Sequence, residues 1–482
     1  MKRYDKYDEF NKWYEDVLQY AKIVDKRYPM KGSYVIMPYG FSALKKMKNI
    51  MSKLLDSYGH EEAYFPLLVP EKIFKKEKDF LKGFGGETLR ATKTFLQELD
   101  EELIIRPTSE TAMYPMYSLW IRSWRDLPLK IYQTVNVFRW ETKMTKELLR
   151  VRELVAFNES HTAHASAEEA EKQIKEAIEI YKKFFDEMRI PYDIFKTPKW
   201  ETFAGAQYNY DFFTTMPDGK AIELASVINL GQKFAKAFNI KFMDKDEKKK
   251  YVYQTCYGIS ERELGVAISL HGDNKGLRMI SNLAPIHIVI VPIKKNNEND
   301  KKIMIYCEKI KNMLEGTKCG EYKAEIKVKI DNKEIRPGEK YNDWEKKGVP
   351  IRLEIGEKEV KSKTLVLARR DKLTKEKIKE KNIKESVKKI IKEIDKTIYR
   401  EAREWHKKMI TKHKTLKDAL KRLRNYGGIV GVKWCGDENC GKKIADKLLG
   451  SAIGYKENEK VEGKCIICGK EAKHWMYFGR TY

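Results

Sequence analysis

The chain of 482 residues carries 97 Lys and Arg against 71 Asp and Glu, a formal net charge of +26, and 42% of its residues are hydrophobic. This apolar content excludes a disordered polyelectrolyte and predicts a soluble protein of several domains. The charge favours a polyanionic partner such as nucleic acid, although a lysine-rich solvated surface gives the same excess. The seven cysteines are too sparse for a disulfide scaffold.

The N-terminal segment MKRYDKYDEFNKWYEDVLQYAK is charged throughout and lacks the apolar core of a signal peptide. No stretch of the sequence approaches the ~18 apolar residues of a membrane span. We therefore expect a cytoplasmic protein with no membrane contact.

The first clear element is a helix at residues 41–58, where apolar side chains recur every three or four positions. The segment EEAYFPLLVPE follows and contains Pro66 and Pro70. Because proline is confined to the edges and ends of strands, this segment is predicted to lie at a sheet margin, where another subunit can pack. A second helix is predicted to begin at the capping box of Ser166 and Glu169.

The segment RPTSET, residues 106–111, follows the apolar run LII and predicts a strand that ends in a polar pocket. Glu110 can pair there with the ammonium group of a ligand, and Thr108 can fix its orientation. This residue set favours a binding site for a small cationic molecule.

The segment FRWETKMTKELLRVREL, residues 138–154, places Arg139 and Glu141 two positions apart, which predicts one shared strand face. An arginine so placed can donate two hydrogen bonds to a carboxylate or a phosphate. Arg150 supplies a second cation that can approach a triphosphate from another direction. An ordinary surface hairpin with a salt bridge is the alternative.

The segment QTCYGISERELG sets Arg262 beyond a turn at Gly258 and ahead of an apolar run. This pattern predicts a helix that begins near a phosphate site.

Alternating strands and helices beyond the segment LAPIHIVIVP predict a separate α/β unit at residues 285–395. Residues 372–425 are predicted to be helical and highly charged. They form either a solvated face with many salt bridges or a basic face for nucleic acid.

Two cysteine pairs near the C-terminus, Cys435 with Cys440 and Cys465 with Cys468, lie 24 residues apart and are flanked by glycine. This spacing predicts a closed tetrahedral Zn²⁺ site. Its role is structural, since four thiolates leave no open coordination position, and His474 is a reserve ligand.

Together these segments resemble class II aminoacyl-tRNA synthetases, and among them the prolyl-tRNA synthetases of the archaeal and eukaryotic type. Residues 40–70 are similar to the dimer-forming first motif, FRWE with the loop to Arg150 to the second, and GISER with Arg262 to the third. RPTSET is similar to the loop that binds proline, and NESHTAH and FAGA to further prolyl-specific segments. The resemblance covers essentially the whole chain.

The resemblance implies an α+β fold with an antiparallel-sheet catalytic core at residues 1–284. An α/β anticodon-binding domain at 285–395 and a small zinc-binding α+β domain at 396–482 are expected to follow. About 100 residues separate the second and third motifs, so we expect no built-in editing domain.

The implied activity is formation of prolyl-adenylate from proline and ATP, followed by transfer to the terminal ribose of tRNA(Pro) by a homodimer. The resemblance assigns Arg139 and Arg262 as catalytic, with Arg139 between the proline carboxylate and the α-phosphate. Glu141 receives the adenine amino group, Arg150 and Arg262 hold the outer phosphates, and Mg²⁺ accompanies ATP. The implied proline-binding residues are Thr108, Glu110, Arg139, Phe157, Glu159, His161 and Cys256, and the implied ATP-binding residues are Arg139, Glu141, Arg150, Glu223, Ser226 and Arg262.

Further implied contacts lie outside this pocket. Arg352 and Glu354, in GVPIRLEIG, are expected to read guanine bases of the anticodon, with surface salt pairing as the alternative. Tyr482 matches a terminal tyrosine that reaches toward the catalytic site, although a frayed terminus is the default.

Two departures from the family pattern bear on specificity. Leu154 stands where an aromatic residue commonly stacks on adenine, which leaves Phe157 or apolar packing in that role. Cys256 stands where serine is common, so discrimination among proline, alanine and cysteine stays open, and a small buried filler is the alternative.

There are two alternative functions. One is a synthetase for another small amino acid, and the other is a synthetase-like tRNA-binding protein without catalysis.

Overall fold

An eleven-stranded sheet runs through most of the chain in the computed structural model, which describes residues 4–76, 86–141, 144–295 and 297–482. Neighbouring strands are antiparallel except for the outermost pair at each edge, which is parallel. In sheet order the strands are Ile410–Lys412, Ile429–Trp434, His474–Gly479, Ser451–Tyr455, Asp193–Lys196, Tyr208–Thr215, Ala221–Gly231, Tyr253–Ile259, Glu153–His164, Leu129–Phe138 and Glu61–Glu62.

Helices cover this sheet in the N-terminal part of the chain. Pro38–Ser57 and Ala167–Glu187 pack against each other, and each buries one apolar face. The helices in this part are Phe10–Tyr20, Pro38–Ser57, Glu71–Phe74, Glu110–Trp120, Ala167–Glu187, Lys233–Ala237 and Arg262–His271, with 3₁₀ turns at Trp124–Asp126 and Lys199–Glu201.

The two predicted helices in this part are confirmed. The first begins with a proline in its first turn, where the missing N–H costs no hydrogen bond. The second is capped by Ser166, whose hydroxyl accepts the amide N–H of Glu169 at 3.2 Å, while the Glu169 carboxylate accepts the N–H of Ala165 at 3.0 Å.

Smaller sheets lie beside the large one. A three-stranded sheet has Leu68–Pro70 at one edge, and Glu61–Glu62 is an edge strand of the large sheet. The prediction that the segment with Pro66 and Pro70 lies at a sheet margin is therefore confirmed. The remaining strands of these small sheets are Leu89–Lys93, Glu98–Ile105, Val24–Asp25, Val35–Ile36, Lys241–Met243 and Lys249–Tyr251.

A mixed five-stranded sheet forms the α/β unit predicted after residue 285. In sheet order its strands are Val328–Ile330, Ile288–Pro292, Ile351–Ile355, Thr364–Arg369 and Lys375–Lys379. The other elements of this unit are the helices Asn299–Leu314, Pro337–Lys346 and Glu357–Ser362, the strands Lys318–Cys319 and Ala324–Glu325, and a 3₁₀ turn at Glu380–Asn382.

The C-terminal part begins within the helix Ile383–Met409, which spans the predicted boundary at residue 395. The helices Leu416–Asn425 and Glu438–Leu448 follow. The four strands of this part continue the large sheet through a bridge between Tyr455 and Lys196.

The prediction of a continuously helical segment at 372–425 is wrong in two places. Lys375–Lys379 pairs antiparallel with Thr364–Arg369, and Ile410–Lys412 pairs parallel with Ile429–Trp434. In the strand Lys375–Lys379 only Ile378 is buried, so the charged side chains of this strand face water. They would also face water on a helix, and charge alone therefore did not distinguish a strand from a helix.

None of the helices in the described ranges combines the length and apolar character needed to cross a bilayer.

Candidate active site

A cavity of about 310 Å³ lies against one face of the large sheet. All residues predicted to bind proline lie in its wall. They are Thr108, Glu110, Arg139, Phe157, Glu159, His161 and Cys256. We call this cavity the proline end, after that prediction.

Two buried carboxylates form the acidic part of the proline end. Glu159 accepts hydrogen bonds from the hydroxyl of Thr108 at 2.8 Å and from the amide N–H and hydroxyl of Ser109 at 3.0 and 2.6 Å. The Thr108 hydroxyl also lies 2.7 Å from a carboxylate oxygen of Glu110. The Ser109 contacts arise because the strand ends at Ile105 and the next helix begins at Glu110, so polar groups meet at the turn.

The pKa values of the two carboxyl groups are shifted in opposite directions. Burial raises the pKa of Glu110 above its ordinary value. Burial also raises the pKa of Glu159, but hydrogen bonds from His161, Ser109 and Thr108 and the charge of His161 outweigh it and leave that pKa lowered. Glu159 is therefore the more readily ionised of the two.

Aromatic residues orient His161 in this pocket. Its Nδ1 lies 2.9 Å from the Tyr114 hydroxyl, and its Nε2 lies 3.5 Å from a Glu159 oxygen. The Tyr117 hydroxyl donates to the His161 carbonyl at 2.9 Å. Sequence reasoning missed Ser109, Tyr114 and Tyr117, although the tyrosine positions are four and seven residues after Glu110, a helical spacing that puts all three on one face.

Arg139 stands directly after the strand Leu129–Phe138. Its Nε donates to the carbonyl of Pro107 at 2.9 Å, and its guanidinium lies 5.1 Å from the centre of the Phe157 ring. Burial lowers the pKa of Arg139, while the charges of Glu159 and Glu110 oppose that shift.

The predicted shared strand face of Arg139 and Glu141 is not observed. The strand ends at Phe138, and the amide of Glu141 bonds back to the carbonyl of Arg139 at 2.7 Å, so the two-residue alternation no longer applies. Arg139 lines the proline end, whereas Glu141 lines a second cavity.

The second cavity has a volume of about 290 Å³. We call it the nucleotide end, because Glu141 and Arg150, which are predicted to bind ATP, lie in its wall. Glu223 and Arg262 lie in the walls of both cavities, which therefore form adjoining ends of one cleft. Arg150 donates to the Glu141 carboxylate at 2.9 Å. Two carbonyls hold the Arg262 guanidinium, that of Leu149 at 3.2 Å and that of Glu223 at 2.9 Å.

Asp211, whose carboxyl group sequence reasoning missed, also lines the nucleotide end. The Ser226 hydroxyl lies 2.6 Å from an Asp211 oxygen and 3.1 Å from a Glu223 oxygen, and Asp211 also bonds with Thr197 and Asn209. Burial and the nearby Glu223 charge raise the pKa of Asp211 to about 7. The alternation of Asn209 and Asp211 in the strand segment YNYDFF was the available signal.

Residues of the C-terminal part complete the nucleotide end. Ser451, Ile453 and Tyr482 lie in its wall. The Tyr482 hydroxyl donates to the carboxylate of Asp218 at 2.9 Å, and its amide donates to the carbonyl of Ala221 at 3.2 Å. Tyr482 is thus held in place rather than frayed.

The two candidates for packing on adenine, Leu154 and Phe157, both line the proline end. Phe157 lies beneath the Arg139 guanidinium. The structure does not bring either side chain into the wall of the nucleotide end.

The four C-terminal cysteines converge, with their sulfur atoms all within 4.8 Å of one another. The thiols are free, and the sulfurs of Cys468 and Cys435 lie 3.6 Å apart. This donor set fits a tetrahedral Zn²⁺ ion. His474 lies outside the cluster, and its ring packs against Tyr455 with ring centres 4.2 Å apart.

The predicted anticodon residues lie on the strand Ile351–Ile355 and pair with each other. The Arg352 guanidinium donates to a Glu354 oxygen at 3.1 Å, and Lys375 donates to Glu354 at 2.9 Å. Arg352 and Glu354 are each only 6% exposed, and the Arg352 guanidinium lies 4.1 Å from the centre of the Tyr341 ring. Base contact by these side chains stays a prediction.

Three family models match successive parts of the chain. The tRNA synthetase class II core domain (G, H, P, S and T) matches residues 92–271, the anticodon binding domain residues 287–390, and the C-terminal domain of prolyl-tRNA synthetase residues 416–482. The predicted fold class is thereby confirmed.

Relatives match over nearly the full length. Proline–tRNA ligases of Methanobrevibacter smithii and Pyrococcus abyssi are 45% and 43% identical, each over 98% of this chain and over 100% and 98% of their own length. A structure of Giardia lamblia prolyl-tRNA synthetase in complex with prolyl-adenylate superposes with a TM-score of 0.94 at 34% identity, covering 100% of this chain and 99% of that one. These matches confirm the predicted resemblance, and the chain belongs to the prolyl-tRNA synthetase family of class II aminoacyl-tRNA synthetases.

Proposed function

We propose that this chain activates proline with ATP to give prolyl-adenylate and then transfers the prolyl group to the terminal ribose of tRNA(Pro). The observation that carries the proposal is one cleft in which a buried acidic end adjoins a second end lined by arginines. The two ends meet at Glu223 and Arg262. An amino acid in the first end and a triphosphate in the second have their reacting groups side by side.

In the proline end, the carboxylates of Glu159 and Glu110 accept hydrogen bonds from the two N–H groups of the proline ammonium. His161, Phe157 and Cys256 enclose the ring. Arg139 projects into the same space and is rigid, because its Nε is tied to a backbone carbonyl at 2.9 Å. It orients the proline carboxylate toward the α-phosphate.

In the nucleotide end, Arg150 and Arg262 neutralise the outer phosphates, and Glu141 accepts a hydrogen bond from the adenine amino group. Arg262 reaches both ends of the cleft and is held by two backbone carbonyls. A preorganised cation stabilises charge that develops on the phosphates without having to reorganise during the reaction.

The reaction then follows from alignment. The proline carboxylate oxygen attacks the α-phosphorus, the bond to the pyrophosphate oxygen breaks, and pyrophosphate leaves. In the second step a hydroxyl of the terminal tRNA ribose attacks the prolyl carbonyl carbon, AMP leaves with the electron pair, and the hydroxyl proton passes to a phosphate oxygen of the leaving AMP. No protein nucleophile takes part.

The residues of the nucleotide end fit Mg²⁺ bound together with ATP. One Ser226 hydroxyl lies between the carboxyl groups of Asp211 and Glu223, and its single proton cannot satisfy both. Glu223 and Asp211 are hard oxygen ligands that would hold Mg²⁺ there, where it would screen the charge of a folded triphosphate.

We also propose three domains, at residues 1–284, 285–395 and 396–482, with a structural Zn²⁺ held by the four C-terminal cysteines. Arg352 and Glu354 are proposed to contact anticodon bases. The chain is proposed to act in the cytoplasm, where translation takes place. A homodimer is proposed through the N-terminal sheet margins, because Leu68 is exposed on one edge strand and Tyr64 is exposed in the segment between the two edge strands.

The proposal is tested by exchange of labelled pyrophosphate into ATP across a panel of amino acids, with and without tRNA. We expect exchange that depends on proline, with alanine and cysteine supporting it more weakly. Exchange with no amino acid, or a preference for cysteine over proline, would contradict the proposal.

A further inference from the structure

Three different metal-ligating side chains meet in the proline end. A carboxylate oxygen of Glu110, a ring nitrogen of His161 and the sulfur of Cys256 all lie within 4.8 Å of one another, and all three side chains are buried. His161 and Cys256 are directly opposed residues on neighbouring antiparallel strands. The cluster is therefore fixed by the sheet, and Glu110 joins it from the start of a helix.

These donors form the kind of set that binds zinc with one position left open. Thiolate, imidazole and carboxylate ligands bind Zn²⁺ at about 2.0–2.3 Å, which places tetrahedral ligand atoms roughly 3.5 Å apart.

The surroundings of the cluster favour a cation. The Tyr114 hydroxyl engages Nδ1 of His161 at 2.9 Å, as an outer partner of a metal-bound histidine does, while Nε2 faces the carboxylate of Glu159 at 3.5 Å. Among the described residues of the cavity wall, the cationic side chains are Arg139 and Arg262, and none is a lysine. A buried pair of carboxylates is stabilised by a positive charge, and a divalent ion supplies more of it than an ammonium group.

We infer that Glu110, His161 and Cys256 also form a binding site for a soft divalent cation such as Zn²⁺, which proline and the cation cannot occupy together. This inference rests on the proposed function only in taking proline as the competing occupant. Zinc then acts as an inhibitor that competes with proline and not with ATP.

Cobalt tests the site directly, because Co²⁺ bound to a thiolate absorbs strongly in the near ultraviolet. Full-length protein whose four-cysteine cluster already holds zinc is titrated with Co²⁺, with and without proline. We expect one thiolate–cobalt absorption that saturating proline removes and that Cys256→Ser lacks. Cys319→Ser, a buried cysteine of the anticodon region, serves as the matched control and keeps the absorption.

Two results would overturn the inference. They are an absorption that proline leaves unchanged, and a proline-sensitive absorption that persists in Cys256→Ser. The proline comparison on the unaltered protein holds even if Cys256→Ser folds poorly.

Kinetics separate the inference from the proposed function. With free Zn²⁺ set by a metal buffer, we expect the apparent KM for proline to rise with zinc while the KM for ATP stays constant. In Cys256→Ser we expect the zinc inhibition constant to rise at least about tenfold. Proline-dependent exchange without a proline-sensitive cobalt signal would contradict the inferred metal site and leave the proposed function standing. A proline-sensitive cobalt signal without pyrophosphate exchange for any amino acid would contradict the proposed function and leave the metal site standing.

Discussion

The two ends of the cleft are built in opposite ways. In the proline end, Thr108, Glu110, Glu159, His161 and Cys256 are at most 5% exposed. Thr108 bonds to both carboxylates, and His161 contacts Tyr114 and Glu159. In the nucleotide end, the paired side chains of Arg150 and Glu141 are 22% and 13% exposed. A small rigid substrate demands a pocket assembled before it arrives, whereas a triphosphate brings its own charge and hydration to a more open site.

The largest effect is expected at Arg139, which the proposed mechanism places between the two substrates. Arg139→Lys removes the planar pair of donors while keeping a positive charge. We expect kcat/KM for pyrophosphate exchange to fall roughly 10³-fold, about 4 kcal/mol of transition-state stabilisation. The exposed Arg122, replaced by Lys, is the control and stays near the wild-type rate. Full activity of Arg139→Lys would show that the site is misplaced.

Glu159→Gln is expected to disturb the proline end alone. An amide in place of the carboxylate sets N–H groups against the donors of Thr108 and Ser109 and removes the charge opposite the ammonium. We expect the KM for proline to rise roughly 100-fold, with the KM for ATP nearly unchanged. Glu153→Gln, on the same strand, is the matched control. Equal changes in both KM values would mean that the two ends are not separate.

Asp211 is expected to make the stability of the folded protein depend on pH. Its carboxyl releases its proton near 3.8 when unfolded and at about 7 when folded, so the folded protein binds more protons between these values. Its contribution to stability is therefore present at low pH and is lost as pH rises through about 7. The free energy of unfolding, measured by urea denaturation at pH 5 and pH 8, should fall more in the wild type than in Asp211→Asn, by about 2 kcal/mol. An identical fall in both would refute the burial argument.

Arg150→Gln is expected to weaken only the nucleotide end. Because this side chain is partly exposed, we expect about a tenfold rise in the KM for ATP, diminishing at high salt. The KM for proline, measured on the same preparation, is the internal control. A larger change for proline than for ATP would reverse the assignment of the two ends.

The smallest effect is expected from the cysteine cluster. Cys440→Ser should lower zinc content, measured by metal analysis, and loosen the strand Ser451–Tyr455, which carries Ser451 and Ile453. We expect roughly a threefold rise in the KM for ATP and a lower Tm, with proline binding unchanged. A loss of zinc with no change in Tm would show that the metal has no structural role.

How much of the candidate site the sequence could predict differs from residue to residue. Arg150, Arg262 and the four cysteines were recognisable because polyphosphate and zinc require particular residue types at short spacings. Asp211 and Tyr114 were not. Their spacings from Asn209 and Glu110 were visible in the sequence, but the contacts that show their roles, Asp211 with Ser226 and Tyr114 with His161, join residues 15 and 47 positions apart. Likewise, Arg139 and Glu141 were predicted to share a face because the strand was assumed to continue past Phe138, where the backbone in fact turns.

The bridge from Tyr455 to Lys196 joins strands separated by more than 250 residues. During synthesis, residues 108–262 leave the ribosome long before the segment 451–482 that completes the wall of the nucleotide end. A nascent chain therefore carries the amino-acid pocket well before it has a finished nucleotide site. Activation of substrate must therefore wait until the segment 451–482 has been translated.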